Sequence, residues 1–266
     1  MPLKIKRNKY HYEVVIYHDN VRVPNVEYEN GTTGGEYERN YEWESGKRSV
    51  RTIIDIALNN KWTDFITITL DKEKIDRYNE ELIIKKLRKA INNYKYRYDE
   101  TFRYIIVAEY HKDKAVHFHG LIYLKNRKGL NYNEHQTKKE RGKKGNQNIS
   151  VYEFNYFNKR FGYTWVQPLY NQAEFVSYYL SKYMSKYDDR IYYSRYMRSR
   201  GLKQSEELCS LEEDFIAPFD YDERYDNTYT KSFKLNREQI MTLLDNNAHL
   251  LTDSEIKALE ERIKED

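Results

Sequence analysis

The chain has 266 residues, 39% of them hydrophobic, enough for one large domain with appendages and a substantial core. It contains no apolar run of the roughly 18–20 residues needed to span a bilayer, and the single cysteine excludes an intrachain disulfide framework. The opening Met1-Pro2-Leu3-Lys4 lacks the apolar stretch of a secretory signal, so a reducing, cytoplasmic setting is expected.

The net charge of +4 is small but unevenly spread. Lys125 to Lys144 holds eight Lys/Arg against two Glu, and Lys182 to Lys203 holds seven against two Asp. Glu206 to Asp226 is the reverse, with nine acids against Arg224. The basic stretches point to a polyanionic substrate, although solvated loops are often basic without a ligand. Tyrosine is abundant, 28 residues, which suits stacking on unpaired bases. An AT-rich coding sequence would enrich Tyr, Lys, Asn and Ile in the same way. Cys209 lies in the acidic stretch, where a thiolate is disfavoured, and reads as an incidental thiol.

In chain order, Met1 to Gly46 is polar and turn-rich. Tyr12–Tyr17 and Val21–Val23 read as short strands within it, and Asn30–Gly35 as a loop. Ser45 is placed to cap a helix over residues 48–60, with Val50, Ile53, Ile54, Ala57 and Leu58 on one face. Lys61–Leu70 is a strand by its β-branched and aromatic content. Asp71 then caps a long helix over residues 72–96, marked by Ile83, Leu87, Ile91 and Tyr94.

Tyr104–Glu109 and Ala115–Leu124 form a hairpin, because only Tyr110 to Lys114 separates them. Residues 126–150 read as a long exposed insertion. Phe161–Leu169 is a fourth strand, placed at an edge because Pro168 lacks a ladder donor. Asn171 to Glu174 has capping-box spacing and opens a helix through Tyr187. Two short helices, 236–244 and 253–264, end the chain. This order predicts an α+β domain, an antiparallel sheet with helices packed on one face, and no internal repeat is seen.

Chemistry concentrates in two places. In His117-Phe118-His119 the period of two points both imidazoles out of one sheet face, a metal half-site. A turn centred on Asp113 sets Glu109 opposite His117, and cross-strand partners have Cβ atoms about 4.5–5.5 Å apart. The three residues then make a site with open coordination positions. The apolar flanks would suit any buried strand, and paired histidines sometimes only hydrogen-bond.

In the predicted helix after Asn171, Tyr179, Lys182, Tyr183 and Lys186 fall at i, i+3, i+4 and i+7, on one face. An ammonium near a phenol stabilises its phenolate, so each tyrosine has a lysine able to activate it. The chemistry implied is tyrosine attack on a phosphodiester polarised by the metal at His117, His119 and Glu109. A tyrosine stripe alone is more often packing, but Lys182 and Lys186 would have to snorkel out of a buried one.

Phe65–Leu70, His117-Phe118-His119-Gly120 with Glu109, and Tyr179 to Lys186 together resemble the three motifs of the HUH endonuclease superfamily. The similarity is to rolling-circle replication initiators (Rep proteins) of bacterial plasmids and small phages. It covers about Lys61 to Lys203, including Arg195–Leu202 after the tyrosine helix. This makes 1–60 an N-terminal extension, 61–203 the endonuclease core and 204–266 an acidic linker with C-terminal helices.

The resemblance implies a ferredoxin-like or RRM-like sheet, a Mg²⁺ or Mn²⁺ cofactor, and nicking of single-stranded origin DNA in a bacterial cytoplasm. It also implies a 5′-phosphotyrosine link and a free 3′-OH. Either Tyr179 or Tyr183 matches the attacking position. No Gly-x-x-x-x-Gly-Lys-Ser/Thr loop is present, so helicase and polymerase are expected from the host. The rivals are an HUH transposase or relaxase and a non-catalytic single-strand-binding module. The order of histidines before tyrosines favours the initiator.

Overall fold

The computed structural model describes residues 3–17, 48–111, 113–127, 130–132, 138–142, 145–149, 151–169, 195–211, 215–217, 223–226 and 230–264. The first strands are β1 (Leu3–Arg7) and β2 (Tyr12–Tyr17), and helix α1 spans residues 48–59. There follow β3 (Asp64–Leu70), α2 (Glu80–Arg97), β4 (Arg103–Tyr110) and β5 (Val116–Tyr123). Next come β6 (Leu130–Tyr132), β7 (Lys138–Gly142), β8 (Gly145–Ile149), β9 (Tyr152–Phe154), α3 (Asn155–Phe161) and β10 (Gly162–Pro168). The remainder is β11 (Tyr196–Arg198), β12 (Glu206–Leu211), β13 (Glu223–Asp226), β14 (Thr230–Leu235), α4 (Arg237–Asn246) and α5 (Asp253–Lys264). The fold is α+β with antiparallel sheets, and the chain divides into two units, Thr33–Leu202 and Met1–Thr32 with Lys203–Asp266.

In the first of these units the described strands form a seven-stranded sheet in the order β11-β4-β5-β3-β10-β9-β6, every pair antiparallel. Alternation along each strand sorts its side chains onto two faces. Ile66, Ile68, Ile106, Phe118 and Ile122 face one way and share a core with Ile83, Leu87, Ile91 and Tyr94 of α2 and Phe157 and Phe161 of α3. Phe65, Ile105, Val107 and Leu121 face the other way, in a second core with Ile53, Ile56 and Ala57 of α1 and the loop residue Trp62. The helices therefore do not all lie on one face. The central strands are apolar on both sides over half their length, and the second apolar surface needs its own cover.

Several elements differ from the sequence expectation. The long helix starts at Glu80 and not at residue 72, because Asn79 Oδ1 accepts the Leu82 N–H and Glu80 and Glu81 occupy the first turn. Asp71 instead closes a local turn by accepting the Glu73 N–H. Helix α3 was not foreseen; at seven residues it is too short for a periodic signal. Strand β10 is internal where Trp165 and Val166 pair with β9, while Pro168 lies beyond that pairing. The insertion after Lys125 contains β6 and a β7–β8 hairpin. The expected strand Val21–Val23, loop Asn30–Gly35, cap Ser45 and helix Asn171–Tyr187 lie outside the described residues.

The other unit joins both ends of the chain in one sheet of order β12-β1-β2-β14-β13. Leu3, Ile5, Val14, Ile16, Leu208, Phe233 and Leu235 form its core with Ile240 and Leu244 of α4 and Leu259 and Ile263 of α5. Asn236 and Gln239 close a capping box at the start of α4. Glu206 accepts from Arg7 at 2.9 Å and Arg262 at 2.5 Å, and the Arg262 hydrogen bond holds its carboxyl below the usual range. Burial pushes the Cys209 thiol up to about 11, which leaves no thiolate at neutral pH and agrees with an incidental cysteine.

Candidate metal centre on the sheet face

The hairpin of β4 and β5 pairs Glu109 with His117 and Val107 with His119, while β3 sets Thr69 against His117 and Thr67 against His119. All six side chains share the face that α1 covers further along, because opposed residues of an antiparallel pair point the same way. The turn runs from His111 to Lys114, and Lys114 adopts a left-handed φ of 63°. Asp113 Oδ1 accepts the Ala115 N–H, and Arg77 donates to Asp113 Oδ2 at 3.3 Å. These contacts fix the register that brings carboxylate and imidazoles together.

Each of Glu109, His117 and His119 offers a ligand atom, and the three atoms lie within 4.8 Å of one another, a set that could hold a metal ion. His119 Nε2 stands 3.4 Å from a Glu109 oxygen. The hydroxyls below orient the rings: Thr67 Oγ1 is 3.1 Å from His119 Nδ1 and Thr69 Oγ1 is 2.8 Å from His117 Nε2. A ring N–H donated to threonine leaves the other nitrogen's lone pair for a cation. Burial, then the neighbouring His119 and His111, push His117 down to about 3 against the pull of Glu109. A neutral imidazole is the form a metal requires, so the donor set fits a divalent cation.

The rings stack in sequence. His111 lies on His117 with centroids 4.5 Å apart, His117 meets His119 edge-on at 4.4 Å, and Phe65 stacks behind His119 at 5.8 Å. The sequence reading gave no role to His111, Phe65 or the two threonines individually. The odd-numbered positions of Phe65, Thr67 and Thr69 on the strand adjoining His117 and His119 are the signal for three of them, while His111 lies in the turn just past β4.

Gly120 follows the second histidine for a steric reason. A Cβ there would lie 2.2 Å from the Ile105 carbonyl oxygen and 2.8 Å from Ile106 Cα. The β4 backbone thus passes too close for any side chain, and this closeness sets where Glu109 stands relative to the histidines.

The structure brings together Glu109, His117 and His119 as expected; Tyr179, Lys182, Tyr183 and Lys186 lie outside the described residues. Residues 63–188, just under half the chain, match the family model of replication-associated protein ORF2/G2P. That segment runs from the start of β3 through the metal centre and past Lys186. The match supports a replication-associated role for the chain. Neither a curated protein nor a solved structure matches the chain. Among the described residues no helix is long and apolar enough to cross a membrane.

Proposed function

We propose that this chain is a replication initiator of the HUH endonuclease type, which nicks single-stranded origin DNA by tyrosine attack and later rejoins it. The observation that carries the reading is the Glu109, His117 and His119 cluster inside a segment matched to a replication-associated family. The order β3-α2-β4-β5-α3-β10, interrupted by β6 to β9 before α3, with strands side by side as β4-β5-β3-β10, supports a ferredoxin-like core.

Glu109, His117 and His119 would hold a Mg²⁺ or Mn²⁺ ion, with Thr67 and Thr69 fixing the rings. A divalent ion held there would supply Lewis-acid polarisation of the scissile phosphate. The phenol oxygen of Tyr179 or Tyr183 forms a bond to phosphorus and the bond from phosphorus to the 3′-oxygen breaks. The phenol proton passes to solvent water and a water proton ends on the leaving 3′-oxygen, giving the 3′-hydroxyl that a host polymerase extends alongside a host helicase. Lys182 and Lys186 stabilise the attacking phenolate. The phosphotyrosine conserves the energy of the phosphodiester, so a later 3′-OH reverses the step.

Incubation of the protein with Mn²⁺ and labelled single-stranded origin DNA tests this. An SDS-stable adduct lost in a Tyr179→Phe, Tyr183→Phe double variant and in His117→Ala is the expected result. A protein that binds the strand but forms no adduct is a binding module, and activity untouched by His117→Ala removes the metal centre from the reaction.

A further inference from the structure

On β10, Tyr163 pairs with Thr69, Thr69 pairs with His117 on β5, and His117 pairs with Glu109 on β4. These four side chains therefore stand in one row on one face of the sheet. At a strand spacing near 4.8 Å, Tyr163 stands two strands, about 10 Å, from His117. It is 63% exposed although it lies within a strand, and its side chain makes no hydrogen bond or ring contact among the described residues. Of β10, strand β9 pairs only Trp165 and Val166, so at Tyr163 the described sheet has no further strand beside it. Trp165, half-buried, occupies the next position on the same face, opposite Thr67.

An exposed phenol ring in line with a candidate metal centre is placed to receive a flat ligand. The charges at this end of the sheet alternate, with exposed Lys72, Lys74 and Lys114 against exposed Glu73, Asp76 and Asp113. Charge alone therefore gives a polyanion little preference for this edge, whereas a π-face binds any base without regard to its charge. We infer that Tyr163, backed by Trp165, is a stacking platform for an unpaired base of single-stranded DNA next to the phosphate at Glu109, His117 and His119. The choice of ligand rests on the proposed function; the geometry of the row does not.

The test is fluorescence anisotropy of the full-length protein with a labelled, mixed-sequence single-stranded oligonucleotide in EDTA, where no cleavage occurs. Tyr163→Ala should weaken binding about tenfold, Tyr163→Phe should stay within about twofold of the parent, and affinity for a duplex of the same sequence should not change. Equal affinity of the alanine variant and the parent, a phenylalanine variant as weak as alanine, or no single-strand binding by the parent would each overturn the platform. Mn²⁺ titration separates the two ideas. Unchanged Mn²⁺ uptake by Tyr163→Ala alongside lost oligonucleotide affinity supports the platform. A parent that takes up no Mn²⁺ but binds the strand through Tyr163 defeats the metal centre and leaves the platform standing.

Discussion

Glu109 and His117 are direct cross-strand partners about a turn centred on Asp113, so a single hairpin register decides whether the carboxylate and the imidazoles meet. A slip by one residue would turn Glu109 to the α2 face and dissolve the cluster.

The threonines beneath the rings give the first prediction. Thr67→Val removes the hydroxyl at His119 Nδ1 while keeping a β-branched strand residue. Mn²⁺ affinity, followed by calorimetry, should fall by about 10-fold or more with the thermal midpoint little changed, as when other groups that orient metal-bound histidines are removed. An unaltered affinity would show that Thr67 does not orient the ring.

Gly120→Ala should cost about 2 kcal/mol or more, because the added Cβ would sit 2.2 Å from the Ile105 carbonyl oxygen and the two strands would have to part. Denaturant unfolding measures the cost, and a loss of Mn²⁺ affinity in the folded fraction should accompany it.

Asp99 is 7% exposed and anchors the chain where α2 hands over to β4 and β5 ends. Burial raises its pKa, but the Asn126 N–H, the Thr101 hydroxyl and the Lys125 and Thr101 N–H groups outweigh burial, and the net shift is downward. A folded pKa below the unfolded value gives stability that is present above 3.8 and lost as pH falls through the folded pKa. Asp99→Asn should remove about 2 kcal/mol at pH 7 and flatten the acid limb of the stability profile, read from melts between neutral and acid pH.

Asp64 has the opposite sign. It is 0% exposed, and burial raises its pKa against the pull of Thr63 and of Arg127, whose guanidinium nitrogen lies 3.1 Å from both carboxylate oxygens. Its contribution is fullest below 3.8 and declines as pH rises through the raised folded pKa. Arg127→Met leaves a buried carboxylate unpaired and should cost about 3 kcal/mol at pH 7, shrinking as the medium is acidified. A penalty that does not vary with pH would mean that the pair contributes only packing.

The hairpin, the clustering of Glu109, His117 and His119 and the two C-terminal helices were legible in the sequence because each rests on short-range pattern: alternation in residues 104–109 and 115–124, and caps followed by helical spacing in 236–264. What escaped depends on partners distant in sequence. Nothing local tells residues 48–59 which face of the sheet they will cover. Nothing in Leu3–Arg7 announces that its neighbours are Tyr12–Tyr17 and Glu206–Leu211. Asp71 and Asn79 are both residues of capping type with apolar residues downstream, and the burial of Ile75 in the turn after Asp71 leaves the helix start to Asn79.

That closure of the chain's two ends has a consequence for how the molecule is made. Strands β1 and β2 lie between β12 and β14, which follow them by roughly 200 residues of sequence. During synthesis the β1–β2 hairpin leaves the ribosome well before β12 and β14, so both of its edges and its apolar face stay open until those strands and the helices after them have followed. The hairpin is thus sheltered long after it is translated, and any product halted before residue 206 carries an unfinished sheet with two bare edges.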